Sequence, residues 1–156
     1  METATKKIAF KIKIKDACLS LLKERIANAL QAMTHAQEAA NNQEKSSVGD
    51  KHETSRAISQ AERDMNARQL QQAEKDLHFL EAISVEQLFE SVVNGCVFKI
   101  GEQLFFVAIG LGALTIDDKT LMVISHQSPL FLEFKMKKRG DKGSFRAKQQ
   151  QIEEVF

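Results

Sequence analysis

Apolar residues in the first half of the chain recur in steps of three and four. Leu19, Leu22, Ile26, Ala29, Met33, Ala36 and Ala40 form one such series, the spacing of a heptad-type seam along one face of a helix. A second series contains Ile58, Ala61 and Met65, then Leu70, Ala73, Leu77 and Leu80, with the phase slipping in between. Two helices packed over a short distance tolerate such a slip. The seams are narrow and alanine-containing, which lets the helices approach closely. Ser46-Ser47-Val48-Gly49-Asp50 separates them: Gly49 suits a left-handed C-terminal cap, and Asp50 suits the N-cap of a following helix. The spacing predicts helices over 16–46 and 52–82, each about 45 Å long at about 1.5 Å per residue. A short connection makes them antiparallel. The expected element is a two-helix coiled-coil hairpin over residues 16–83 with its tip near 46–53, too thin to hold an internal pocket.

The first fifteen residues follow a different rhythm. Ile8, Phe10, Ile12 and Ile14 alternate with Lys7, Lys11, Lys13 and Lys15, which predicts a half-buried strand or a basic extended arm over 1–15. Beyond Ser84 the chain turns to Val, Ile, Phe and Gly. Gln87-Leu88-Phe89 is expected to close a short helix. Strands are predicted at Cys96–Ile100, Gln103–Ile109, Leu121–Ser125, Gly143–Ala147 and Gln151–Phe156. Lys99–Glu102 and Thr115–Lys119 read as turns, and 129–138 as a helix or irregular crossover. These elements make a small α+β domain over 84–156.

Composition sharpens the division at residue 84. Six of the seven glycines lie after residue 90, nine of the ten phenylalanines lie at or after Phe79, and the one proline is Pro129. Lys and Arg (22) against Asp and Glu (21) leave a net charge of +1, which argues against a protein that coats DNA or binds it independently. The cysteines, Cys18 and Cys96, have no paired spacing, so neither a disulfide framework nor a zinc motif is indicated. No apolar run approaches the roughly 18 residues of a spanning helix, and the N-terminus lacks the h-region of a secretory signal. A reduced, cytoplasmic protein is the expectation.

Few residues carry chemistry. Asp50 and Glu53, three apart at the start of the second helix, share one helical face and are hard oxygen donors of the kind that complete a Mg²⁺ site half-held by a partner. The same Asp-x-x-Glu spacing is a capping box, and both roles can coexist. His52 lies beside them; His35, His78 and His126 show no ligand spacing. Cys96, on an apolar stretch, reads as core rather than nucleophile. Lys135-Met136-Lys137-Lys138-Arg139 is a basic run suited to a solvated turn or an acidic partner surface. Phosphate loops, nucleophile elbows and paired-Cys motifs are missing from the sequence, so a self-contained enzyme is not expected.

Two stretches together resemble the Gre family of bacterial transcript-cleavage factors. Their hairpin tip reads Gly-Asp-Leu-Ser-Glu-Asn, and Gly49-Asp50-Lys51-His52-Glu53-Thr54 keeps the Gly, Asp and Glu at that spacing. Their C-terminal domain carries Ser-Pro-Ile-Gly-x-Ala-Leu-Leu-Gly-Lys-x-x-Gly-Asp. Ser128-Pro129-Leu130, Lys137 and Gly140-Asp141 match it without a gap, with Phe134 at the first Leu and Phe131 and Met136 at two of the glycines. After the tip Glu the chain has Thr54-Ser55-Arg56-Ala57 where the family has Asn-Ala-Glu-Tyr. The resemblance covers nearly everything after residue 16.

The resemblance implies an FKBP-like C-terminal domain and one macromolecular partner, RNA polymerase. Gre factors insert the hairpin into its secondary channel, close to the RNA 3′ end, and dock the C-terminal domain on the rim. Asp50 and Glu53 would then help hold a Mg²⁺ jointly with the polymerase, whose own nuclease activity cleaves the backtracked transcript. Gly49 and His52 at the tip, with Ser128 and Pro129 in the docking segment, would contact the polymerase. A related reading is a channel-occupying regulator that does not induce cleavage. A prolyl isomerase built on the C-terminal domain is a third, although no Tyr or Trp is present to line its pocket.

Overall fold

A computed structural model of the chain describes residues 3–45 and 49–156, with side chains described among them except at 40, 43–45 and 49–53. The protein is α+β: a helical hairpin followed by a six-stranded sheet. Helix α1 runs Ala4–Lys45 and α2 runs Gly49–Ala82. The chain forms two compact units, one of Ser20–His78 and the other of Met1–Leu19 with Phe79–Phe156. Among the described residues no helix is long and apolar enough to cross a membrane.

In the unit Ser20–His78 the two helices pack antiparallel: Arg63 donates to the Gln37 and Gln60 side chains, while Ala29 and Ala32 face Gln69 and Ala73. On α1 the predicted seam holds, with Leu22, Ala29 and Ala36 buried and Ile26 and Met33 half-buried; Ala40 lies outside the described side chains. On α2 only its second part holds. Ala73 is buried and Leu70 and Leu77 are half-buried, but Ile58 and Met65 are 55% and 50% exposed and Ala61 is also exposed. The inward positions are Ser59, Arg63, Asn66, Leu70, Ala73 and Leu77, an unbroken series of fours and threes. The apparent slip arises because the half of the seam nearer the tip is polar, and hydrophobicity alone marks the wrong face there.

The second unit corrects the reading of residues 1–15 as a strand or extended arm: they enter α1 at Ala4. Thr3 caps the helix, its Oγ1 accepting from the Lys6 N–H at 3.2 Å and its carbonyl from the Lys7 N–H at 3.0 Å. Extending a helix already formed downstream gains one hydrogen bond per residue, and Phe10, Ile14 and Cys18, each four apart, are buried together with Lys11, three before Ile14. The lysines have fixed internal partners. Lys7 pairs with Glu154 at 3.2 Å and Lys13 with Asp117 at 2.9 Å. Lys11 Nζ donates to the Gln87 carbonyl at 2.8 Å, and Lys15 Nζ to the Ile83 carbonyl at 2.7 Å. The first turns of α1 are thus clasped onto the sheet and its approach segment.

The strands are β1 (Val97–Ile100), β2 (Gln103–Ala108), β3 (Gly112–Ile116), β4 (Lys119–Ser125), β5 (Lys142–Phe145) and β6 (Lys148–Val155), with α3 (Pro129–Phe134) between β4 and β5. Their order is β3-β4-β2-β1-β6-β5; β2 and β4 are parallel and all other neighbours antiparallel. Phe98, Ile100, Phe105 and Val107 form a core with Val92, Phe131, Phe134 and Ile152. Val97, Phe106, Leu121 and Val123 are buried as well; Val97 and Phe106 alternate with those residues, and Leu121 and Val123 pair with Leu104 and Phe106, which assigns all four to the opposite face.

Strand β3 was not expected. Its five residues alternate between half-buried and exposed, and the turn is confined to Asp117 and Asp118, both left-handed at φ 50° and 64°. Strand β5 stops at Phe145 because Arg146 and Ala147 form a second such turn, at φ 54° and 61°. The expected helix at Gln87–Phe89 is absent: the backbone there is irregular, and the Gln87 carbonyl is committed to Lys11.

Candidate functional site

Two places inherit the sequence-predicted residues: the start of α2 and the segment around α3. Helix α2 begins at Gly49, so Gly49 opens this helix instead of following α1 as its C-terminal cap, the backbone of Asp50 and Glu53 lies within its first five residues, and the helix starts two residues earlier than a cap at Asp50 requires. The side chains of Asp50, His52 and Glu53 lie outside the described residues, as does the stretch 46–48.

The second place is described in full. Ser128 is the N-cap of α3, its Oγ accepting from the Phe131 N–H at 3.2 Å and its carbonyl from the Leu132 N–H at 3.0 Å. Pro129 opens the helix, where a missing N–H costs nothing and the fixed φ is already helical. Phe131 and Phe134 are buried and anchor α3 to the sheet, and the Phe134 and Phe98 rings lie 6.1 Å apart. Gly143 on β5 leaves room for Phe134, since a Cβ there would lie 2.6 Å from the ring. The opposite side of the segment is exposed and apolar, with Leu132 60% and Met136 61% accessible. Leu132 was not singled out in the sequence, and Met136 only as part of the basic run and as a departure from the family's glycine, because an isolated apolar residue carries no periodic signal of exposure.

The remaining motif residues shape the exit from α3. Met136 is left-handed at φ 66° and Gly140 at φ 92°. Lys137 Nζ donates to the Lys142 carbonyl at 2.8 Å, and the Lys138 N–H donates to Asp141 Oδ2 at 2.8 Å. Main-chain bonds tie this exit to the approach segment: the Met136 N–H to the Val92 carbonyl and the Val92 N–H to the Lys137 carbonyl, both 2.9 Å. Within the basic run, Lys135, Lys138 and Arg139 remain exposed while Lys137 is half-buried over the Phe134 ring.

The other candidates are structural. Cys96 is fully buried, and burial pushes its thiol up to about 12, which keeps it protonated and inert. Cys18 is raised to about 12 by the same cause. His35 and His78 are exposed. His126 stacks on Phe79 with ring centroids 4.4 Å apart, and its Nδ1 is buried without a hydrogen-bond partner among the described residues. Among those residues, no group of three or more His, Cys, Asp or Glu could hold a metal.

An open groove of about 760 Å³ lies where Lys7 and Phe10 meet β1, β4 and β6. Of its lining cations Lys7, Lys99, Lys119 and Arg139, Lys7 pairs with Glu154 and Lys99 with Glu102, at 3.2 and 3.8 Å, so part of its charge is internally compensated.

The chain matches no protein-family model, and no curated protein or solved structure among those compared with it gives a match.

Proposed function

We propose that the protein is a Gre-type factor that binds RNA polymerase, inserts the tip of its helical hairpin into the secondary channel and stimulates cleavage of backtracked transcripts. The observation that carries this reading is the coincidence of element order with motif position. A two-helix hairpin precedes an α+β sheet domain, and the Ser-Pro pattern falls on a helix entry and a turn that use its residues structurally. Ser128 caps, Pro129 opens the helix, and Met136, standing where the family has glycine, adopts the left-handed backbone that favours glycine. This supports an FKBP-like assignment for the sheet domain. It also supports a docking role for the α3 segment, along which Leu132 and Met136 are exposed.

In this reading the protein is not itself an enzyme. Asp50 and Glu53 stand three residues apart near the start of α2, a spacing at which two helical residues share a face, and would hold Mg²⁺ jointly with the polymerase; the ion would supply an activated water and charge stabilisation. In sequence, Gly49 directly precedes Asp50 and His52 directly precedes Glu53, so both would meet the polymerase with the pair. A second reading rests on Lys51 and His52: the positive charge of Lys51, with a titratable His52 beside it in sequence, weakens the hold of neighbouring carboxylates on a cation, which favours a channel-occupying regulator that does not induce cleavage.

Competition for host polymerase against an authentic Gre factor tests the shared part of both readings. Displacement is expected, with loss of affinity on Leu132→Asp or Met136→Asp. Failure to compete contradicts both.

A further inference from the structure

The two edges of the sheet are treated differently. Strand β5 forms one edge. A two-residue turn at Arg146–Ala147 joins it to β6, so Phe145 and Lys148 are the closing pair. Main-chain groups on an antiparallel edge alternate between facing the neighbour and facing outward, so those of Ser144 and Lys142 face outward. Two of them are already taken. The Ser144 N–H donates to Glu133 Oε1 at 2.8 Å, and the Lys142 carbonyl accepts from Lys137 Nζ at 2.8 Å. The α3 segment thus covers this edge, and the charge of Lys142 adds a further deterrent to pairing.

Strand β3 forms the other edge and has no such cover. The turn at Asp117–Asp118 makes Ile116 and Lys119 the closing pair of the β3–β4 hairpin. The N–H and carbonyl of Ala113 and Thr115 therefore point away from β4. The Thr115 and Thr120 hydroxyls lie 3.2 Å apart, the close side-chain approach of a non-hydrogen-bonded pair, and this confirms the parity. Among the described residues nothing donates to or accepts from those four outward groups. Both residues are exposed, and a Cβ built at Gly110 or Gly112 meets nothing within 4 Å. Gly112-Ala113-Leu114-Thr115-Ile116 contains no charge and no proline, the usual guards of an edge strand.

We propose that β3 is a self-association edge: two copies of the chain pair antiparallel through β3 about a two-fold axis at Leu114, joining their sheets into one. The register is self-complementary. With Leu114 on the axis, Ala113 of each copy faces Thr115 of the other, and these are the residues whose main-chain groups point outward. Four N–H···O=C bonds close, Leu114 meets its own counterpart, and Gly112 faces Ile116. Asp117 falls opposite Leu111, so no like charges meet. A second copy fits better than an arbitrary peptide because each chain offers one open edge and one covered edge. One open edge closes the contact at two copies, whereas two open edges would propagate into a filament. This inference does not depend on the functional reading above.

Sedimentation equilibrium of the full chain tests it. The wild type is expected to pass from monomer to dimer mass within concentrations up to about 1 mM, the weak end of specific association. Ala113→Lys/Thr115→Lys sets Lys against Lys across the axis, and Ala113→Glu/Thr115→Glu sets Glu against Glu. Each variant alone is expected to stay monomeric, and an equimolar mixture to recover the dimer, which a folding defect cannot mimic. Should either variant fail to fold, Thr115→Pro removes one outward N–H without touching the β3–β4 ladder and is expected to weaken the dimer at least tenfold. A wild type that stays monomeric throughout, variants that dimerise alone, a mixture of folded variants that stays monomeric, or a folded Thr115→Pro that dimerises like wild type would each overturn the proposal.

Discussion

Lys11 Nζ lies 2.8 Å from the carbonyl oxygen of Gln87 and 4.5 Å from the centre of the Phe89 ring, with the whole residue inaccessible to solvent. This contact fixes the irregular segment that leads out of α2 against the first turns of α1. Desolvation lowers the lysine from 10.5 to about 8. The unfolded chain therefore binds more protons than the folded one between pH 8 and 10.5, and the lysine's effect on stability improves as pH rises through that window. At neutral pH the buried ammonium is a cost. Replacing Lys11 with Met removes the dependence: wild type should gain stability relative to Lys11→Met between pH 8 and 10, measured by urea unfolding at both pH values. Parallel pH profiles would contradict the buried placement of the amine.

The N-cap of α3 is separable from any contact Ser128 makes with a partner. Ser128→Ala should lower stability by about 1 kcal/mol, and Ser128→Asp, which can still accept from the Phe131 N–H, should keep most of it. Thermal unfolding of the two variants measures the difference.

Met136 bears on the link between sequence motif and backbone. A left-handed φ of 66° disfavours β-branched side chains most. Met136→Val should destabilise by about 1–2 kcal/mol, while Met136→Gly should be neutral or up to about 1 kcal/mol stabilising. The reverse ranking in chemical denaturation would show that this turn does not take the backbone described.

The hairpin seam predicts a contrast on α2. Ala73 is 8% exposed and faces α1, so Ala73→Leu should overpack and cost about 1–3 kcal/mol. Ile58→Gln and Met65→Gln, on the exposed side, should change stability by less than about 0.5 kcal/mol. Equal penalties would restore the seam that hydrophobicity alone suggests.

These residues also show how far the chain could be read from its sequence. The hairpin was legible because Leu22, Ile26, Ala29, Met33 and Ala36 repeat the helical period with apolar residues throughout. Near the tip the signal failed, since Ser59, Arg63 and Asn66 are polar and hold inward positions through Arg63 and Gln37. The first fifteen residues were misread for a related reason: Lys-Ile alternation has a period of two, yet the positions that matter are Phe10, Lys11, Ile14 and Cys18. A buried lysine is invisible to a hydrophobic pattern, and its aliphatic stem does the packing. Strand β3 escaped because an edge strand is half-exposed and short. At the tip, Asp50 and Glu53 stood out through spacing alone, whereas the exposed pair Leu132 and Met136 became evident only once α3 was oriented by Phe131 and Phe134.

In the proposed function the hairpin tip works inside a polymerase. The most direct test adds the purified protein to stalled, backtracked elongation complexes of its own host polymerase, with 3′-labelled RNA and Mg²⁺. Release of short labelled fragments is expected, lost in the Asp50→Ala/Glu53→Ala double variant while polymerase binding persists. Binding without release would leave the channel-occupying reading in place of cleavage, and neither release nor binding would contradict the account altogether.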